Sequence, residues 1–325
     1  MTVLNIAEAL NAGLDEALAE DDRVMLIGED VGLNGGVFRV SDGLQATHGE
    51  QRVVDTPVAE SGIIGAGLGL AIGGMRPIIE IQFMGFSYPA IDQIASHVSR
   101  MRNRSRHRFT VPMVIRIPFG GGIGAAEHHS ESDEALYVNV PGLKVVVPST
   151  PYDAKGLLRA AVHDPDPVIF LEPIRLYRAV KEDVPRQPYE VAIGTARVER
   201  EGTDVTVVTY GAMTKECRAA AAQLDSQGVS VELIDVRTLV PLDIDTVAGS
   251  VHKTGRAVVV NEAARTGGYA AEIVTQIQEE CLYDLRAPIR RVTGWDTVFP
   301  LKQTEDYYLP SVERIIDAVR QTMDP

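Results

Sequence analysis

The sequence predicts an α/β protein of two domains, each a mainly parallel sheet flanked by helices. Three observations carry this. Its 325 residues suffice for two hydrophobic cores. Short β-branched runs alternate with longer amphipathic ones, the pattern of strands alternating with helices. The alternation lapses once, over residues 181–202, and then restarts.

In order along the chain, Ile6, Leu10, Leu14 and Leu18 recur at helical spacing. Strands are expected at Val24–Ile27, Arg52–Val54, Pro77–Ile81, Met113–Ile117, Leu143–Val147 and Val168–Leu171, with helices over Tyr88–Arg102 and Pro151–His163. That makes one domain over residues 1–180. Residues 181–202 are charged and proline-bearing and read as a linker or crossover. In residues 203–325 strands are expected at Val205–Thr209, Val231–Ile234, Ala257–Val260 and Ile289–Val292. Helices are expected near Lys215–Ser226, Ile244–Lys253, Tyr269–Glu280 and Val312–Thr322. This is a second, smaller α/β domain, and no internal repeat suggests a solenoid.

Forty-five acidic against 31 basic residues give a net charge of −14, which argues against a sequence-independent hold on nucleic acid. The arginines at 100, 102, 104, 106 and 108 are the nearest thing to a basic run and read as a local contact surface. Cys217 and Cys281 are far apart and sit in no Cys-x-x-Cys pattern, so neither a disulfide frame nor a zinc site is expected. The amino terminus lacks the pattern of a signal peptide, and the charge-free stretch from Ser61 to Met75 is shorter than a membrane span. A soluble, cytoplasmic protein without membrane contact is expected.

The chemistry-bearing stretch begins at Asp55-Thr56-Pro57-Val58-Ala59-Glu60-Ser61. It continues through a run in which Gly62, Gly65, Gly67, Gly69, Gly73 and Gly74 alternate with aliphatic residues. Glycines are costly in a helix, so close packing is the expected reason for them. Two readings of Glu60 stand: an acid that suits a helix dipole, or a partly desolvated carboxylate suited to proton exchange. Gly65-Ala66-Gly67-Leu68-Gly69 breaks the dinucleotide fingerprint at Leu70. Gly120-Gly121-Gly122-Ile123-Gly124 lacks the ending of a phosphate-gripping P-loop and reads as a mobile loop. The cluster that follows, from Glu127 through His128, His129 and Ser130 to Asp133, is either an ordinary surface loop or a site for acid–base work.

Several strings then occur in order: Gly28-Glu29-Asp30-Val31, Gly35-Gly36-Val37-Phe38, Asp55-Thr56-Pro57 with Glu60-Ser61-Gly62, Glu80-Ile81-Gln82-Phe83, His129-Ser130, and Pro141-Gly142-Leu143-Lys144 with Pro148-Ser149-Thr150-Pro151. Arg237-Thr238-Leu239-Val240-Pro241 and Tyr308-Leu309-Pro310 continue the series. Together, over essentially the whole chain, they resemble the beta subunit of the thiamine diphosphate-dependent 2-oxoacid dehydrogenases, the decarboxylating component of pyruvate and branched-chain complexes. The resemblance implies a transketolase-like pyrimidine-binding domain followed by a transketolase C-terminal-like domain.

It also implies roles. Glu60 matches the glutamate that hydrogen-bonds N1′ of the cofactor's aminopyrimidine and promotes removal of the thiazolium C2 proton. Gln82 matches a polar contact to that ring and Phe86 the aromatic packed on it. His129 matches the active-site histidine used in reductive acylation of a lipoyl group. A potassium ion is implied at backbone carbonyls of Met113, Ala161, Val162, Asp164 and Asp166.

The Gly-Asp-Gly…Asn motif that holds magnesium and the diphosphate is missing from this chain. The resemblance therefore implies an alpha subunit that carries magnesium, in an α2β2 heterotetramer. It further implies a dihydrolipoyl acyltransferase as partner, with its lipoyl and subunit-binding domains, and a small 2-oxoacid as substrate. Acetoin as substrate, a non-catalytic assembly subunit of transketolase ancestry, and a nicotinamide oxidoreductase are the competing readings; the last is opposed by the broken fingerprint.

Overall fold

The computed structural model describes residues 1–323. The chain runs β1 (Thr2–Asn5), α1 (Ile6–Glu20), β2 (Val24–Gly28), α2 (Leu44–His48), β3 (Val53–Asp55), α3 (Glu60–Ile72), β4 (Arg76–Glu80), α4 (Met101–Arg104), β5 (Val114–Phe119), α5 (Ala135–Val138), β6 (Lys144–Val146), α6 (Pro151–His163), β7 (Val168–Pro173) and β8 (Lys181–Val184). It continues with β9 (Arg197–Arg200), β10 (Val205–Thr209), α7 (Met213–Asp225), β11 (Val231–Asp235), β12 (Thr238–Val240), α8 (Ile244–Thr254), β13 (Ala257–Val260), α9 (Ala270–Cys281), β14 (Arg290–Val292), α10 (Glu305–Tyr308) and α11 (Val312–Met323). Two compact units result: Met1–Phe119 with Leu136–Ile193, and Gly120–Ala135 with the chain from Gly194 onward.

In the first unit six strands stand in the order β6-β7-β5-β4-β2-β3, all parallel. Helices cover such a sheet on both faces, so its strands are buried throughout and mostly apolar, as in β5 and β7, where every residue is buried and Arg116 and Glu172 are the charged exceptions. The helices start where the sequence provides caps. Asn5 and Glu8 form a reciprocal capping box on α1, at 2.8 and 3.0 Å. Thr150 caps α6 ahead of Pro151 at its first turn.

One charged network crosses this apolar sheet. Arg116 of β5 is fully buried and forks onto Glu172 of β7 at 2.6 and 2.9 Å, with Glu80 of β4 at 2.6 Å. Tyr177 donates to the same Glu172 at 2.5 Å. Three strands are thereby pinned in register at their carboxyl ends, and the two carboxylates compensate a guanidinium that could not be buried alone.

Two expectations differ from the structure. Residues 88–102 do not form one helix: a 3₁₀ stretch at Met84–Ala90 and a π-helical turn at Gln93–Val98 precede α4. Pro89 lies inside the first of these and supplies no N–H to an α ladder. Within 181–202, the stretch read as a linker, β8 pairs antiparallel with β1 and β9 pairs antiparallel with β11.

The second unit holds the sheet β14-β13-β10-β11-β9, parallel except for the edge strand β9. Cys217 and Cys281 are buried and unbonded to each other, and burial pushes both thiols up.

Candidate functional site

The first unit gathers its chemistry at the carboxyl ends of three neighbouring strands, where open parallel sheets place their ligands. β2 leads into Glu29, β3 leads through Asp55 to Glu60, and β4 leads to Gln82 and Phe86. Asp55 steadies the turn beside them by accepting the N–H of Gly32 at 2.6 Å.

Glu60 is the first residue of α3, and Ala59 before it offers no side-chain cap. The carboxylate thus lies where the helix presents unpaired N–H groups and positive dipole. It is half-buried. Glu29 stands nearby, 6 % exposed, with Oε1 buried and lacking a hydrogen-bond partner. Burial first, then the charges of Glu60 and Asp30, hold the Glu29 carboxyl above the usual carboxylate range, while the N–H of Ala59 works against them. The negative charge of Glu60 thus disfavours a second negative charge on Glu29.

Gln82 is half-buried and its Nε2 donates to Asp30 at 3.4 Å. Asp30 adopts a left-handed φ of 58°, a turn geometry that short polar side chains tolerate. Phe86 packs edge-on against Phe83 at 5.4 Å, Phe83 meets Phe38 at 5.3 Å, and Phe38 meets Tyr177 at 5.1 Å. This aromatic row fixes the Phe86 ring from one side, and the ring remains half-buried.

Close packing explains one glycine of α3 within the chain. A Cβ at Gly67 would come within 2.9 Å of Ile79 and Met113, so the helix approaches the sheet there only because the side chain is missing. Gly62 and Gly69 face outward with Ala66, and a Cβ at Gly69 would meet nothing within 4 Å. Within the chain, close packing therefore accounts for Gly67, and the outward stripe is left open on the surface.

His129 belongs to the second unit. It ends a 3₁₀ turn, Glu127–His129, and is half-buried, whereas His128 is exposed. The glycine-rich segment before it, read as mobile, is anchored. Gly120, Gly122 and Gly124 have φ of 92, 91 and 70°. Glu305 accepts the N–H groups of Gly122 and Gly124, the latter at 3.0 Å. A Cβ at Gly121 would lie 2.2 Å from Phe299. These glycines serve backbone geometry and close approach.

Behind the loop, Glu134 is buried and pushed up to about 7, chiefly by burial. Tyr210 donates to it, and Asn261 donates to it at 3.3 Å.

Around the positions of the expected potassium site, three carbonyls and two acidic side chains meet protein donors. The carbonyl of Val162 accepts from Arg76 at 2.7 Å, that of Met113 from the N–H of Val168 at 2.9 Å, and that of Ala161 from the N–H of Asp164 at 3.3 Å. Lys144 pairs with Asp164 and Arg102 with Asp166. Three protein cations already compensate this cluster. Among the described residues no group of three His, Cys, Asp or Glu side chains could hold a metal ion.

Reasoning from the sequence gave no role to Glu29, Arg116, Glu134 or Glu305. Glu29 had a signal, since an acid closing an apolar strand is usually placed for use. Glu305 had none, because its partners are backbone N–H groups more than 180 positions away in sequence.

Comparison with known proteins agrees with this architecture. Residues 3–180 match the family described as the transketolase pyrimidine-binding domain and residues 194–315 the transketolase C-terminal domain. The chain is 51% identical to the pyruvate dehydrogenase E1 component subunit beta of Acholeplasma laidlawii, over 99% of this chain and 98% of that one. It is 48% identical to the protein of the same name from Bacillus subtilis (strain 168), over 100% of both. A solved chain titled split gene transketolase, inactive beta4 tetramer, superposes with a TM-score of 0.81 at 22% identity, covering 99% of this chain and 98% of that one, and so shares the fold. No helix among the described residues is long and apolar enough to cross a membrane.

Proposed function

Because the chain belongs to the transketolase-like family of thiamine diphosphate-dependent 2-oxoacid dehydrogenase beta subunits, we propose that it supplies the pyrimidine-holding half of a split cofactor site, completed by an alpha subunit, for the oxidative decarboxylation of pyruvate. The names of the relatives support pyruvate over a branched-chain 2-oxoacid or acetoin. The observation that carries the reading is the convergence of Glu60, Glu29, Gln82 and Phe86 on the ends of three adjacent parallel strands.

Thiamine diphosphate, when bound, supplies an acidic thiazolium carbon that attacks the 2-oxo group and an electron sink for the carboxylate's departure. The residues present fit its pyrimidine. Glu60 offers a carboxylate oxygen to a ring nitrogen and shares a proton there. Glu29, whose carboxyl burial holds above the usual carboxylate range, stands beside it as a second carboxyl group. Phe86, braced by Phe83, offers an apolar ring to stack on, and Gln82 an amide to orient the ring's polar edge. The diphosphate and its magnesium fall to the alpha subunit in an α2β2 assembly, since the sequence lacks the motif and no acidic cluster for them stands among the described residues. A potassium ion on the carbonyls of Met113, Ala161, Val162, Asp164 and Asp166 would share the Val162 oxygen with Arg76.

His129 then acts in the transfer of the acyl group to the lipoyl arm of a dihydrolipoyl acyltransferase, where imidazole gives or holds a proton near neutral pH. Replacing Glu60 with Gln in the reconstituted enzyme tests the central role. Exchange of the bound cofactor's C2 hydrogen with deuterated solvent should slow by about 100-fold or more. An unchanged exchange rate removes Glu60 from this role.

A further inference from the structure

Four guanidinium groups converge on one pocket of the second unit without a carboxylate partner. The pocket encloses about 460 Å³ and is lined by Arg265, Arg290, Arg291, Arg314, Trp295 and Asp317, among others. Arg290 and Arg291 stand on β14, Arg265 on the loop after β13, and Arg314 in the first turns of α11. None of the four forms an ion pair among the described residues.

Their contacts hold them in place without neutralising them. Arg314 donates to the Thr293 carbonyl at 2.6 Å and to those of Tyr308 and Leu309 at 3.4 Å, and its guanidinium lies 4.5 Å from the centre of the Trp295 ring. Arg265 and Arg291 donate to each other's main-chain oxygens at 3.4 and 3.1 Å. Arg290 Nε is buried with no hydrogen-bond partner. The nearby acids are engaged elsewhere: Asp296 accepts the N–H and hydroxyl of Thr266 at 2.7 and 2.8 Å, and Asp317 accepts from Gln321 at 2.8 Å.

Like charges gathered this way repel, and burial adds to the cost. Both effects hold Arg291 and Arg314 below the usual arginine range, burial first and the charge of Arg265 second. The chain has 45 acidic and only 31 basic residues, yet among the described residues no carboxylate forms an ion pair with these four cations, and the charge of Asp296 offsets only part of the repulsion at Arg291. An external anion would relieve the repulsion.

We propose that this pocket binds a phosphate-bearing small molecule with a planar ring. Guanidinium forks match phosphate oxygens in pairs, and Arg265, Arg290 and Arg291 all line the pocket. Trp295 is held by Arg314 and remains 53% exposed, leaving indole surface for a flat base. The volume is that of a small-molecule site. The pocket shares no lining residue with the His129 loop, and the proposal does not depend on the function assigned to that loop.

Trp295 is the only tryptophan in the chain, so its emission reports the pocket directly. The full-length chain is titrated with ADP, AMP and inorganic pyrophosphate, and ADP binding to the assembled tetramer is followed by calorimetry. We expect a saturable change with ADP that weakens as salt rises, and retained ADP binding in the tetramer. Arg290→Ala should leave the ligand-free melting temperature unchanged or raised, by relief of repulsion, and weaken ADP binding by about tenfold or more. Arg291→Lys should bind better than Arg291→Ala. The proposal is overturned by the absence of a saturable response to all three probes, or by equal affinity in folded Arg290→Ala. Binding of a polyglutamate peptide in place of the phosphates, or loss of ADP binding on assembly, also overturns it, since the pocket would then be a protein contact.

Discussion

Glu60 and Glu29 bear the same functional group, and only their surroundings separate them. Glu60 heads a helix, half-buried; Glu29 is buried with an unpaired oxygen, and burial first, then the charges of Glu60 and Asp30, hold its carboxyl above the usual carboxylate range. A proton shared between such a pair suits a site that must give and take one proton repeatedly. His129 is a residue of another kind, placed on a turn that follows an anchored glycine segment. For His129→Ala, acylation of the lipoyl group should fall by about 100-fold while decarboxylation with an artificial electron acceptor falls far less. Equal losses in the two assays would mean that His129 merely positions the loop. Glu60, Gln82, Phe86 and His129 stand out in the sequence because each lies in a motif, and Glu29 is marked only by closing an apolar strand; Glu134 and Glu305 depend on burial and distant partners, which no local pattern announces.

Helix α3 carries the clearest lesson at the scale of an element. Its glycines looked alike in sequence, yet Gly67 is wedged against Ile79 and Met113 and Gly69 meets open space. Gly67→Ala should therefore be less stable than Gly69→Ala by about 1–3 kcal/mol in denaturant unfolding of the free chain. Gly69→Ala alone should stabilise the free chain by up to ~1 kcal/mol through helix propensity, and should weaken assembly if the alpha subunit packs on that stripe. Identical stabilities for the two variants would contradict the packing seen at Gly67. Strands were legible from β-branched runs because a parallel sheet is buried on both faces. The segment at 84–104 was misread because Pro89 and a π-helical turn interrupt an otherwise helical pattern.

Over the whole molecule, two parallel-sheet units were readable from alternation alone, and the strands within residues 181–202 were not, because edge strands such as β8 and β9 are short and polar. Stability against pH should carry the mark of Glu134. Its carboxyl rises from 4.5 to about 7 in the folded state, so the folded chain holds a proton that the unfolded chain has released across that window. Stability is then fully present below about 4.5 and is lost as pH rises through about 7, by ~3 kcal/mol from this group. Tyr210, Asn261 and Glu262 face it, and only Glu262 adds a like charge to the shift. Glu134→Gln should flatten that part of the stability profile in pH-resolved chemical unfolding. An unaltered slope would mean that Glu134 is ionised in the fold.

The split site is tested most directly by reconstitution. Decarboxylation of pyruvate is measured with an artificial electron acceptor, thiamine diphosphate and magnesium, first with this chain alone and then with its alpha partner. The account predicts no activity alone and full activity in the assembled tetramer, with pyruvate turned over faster than 2-oxoisovalerate or acetoin. Full activity from the chain alone, or none from a folded tetramer, would contradict it.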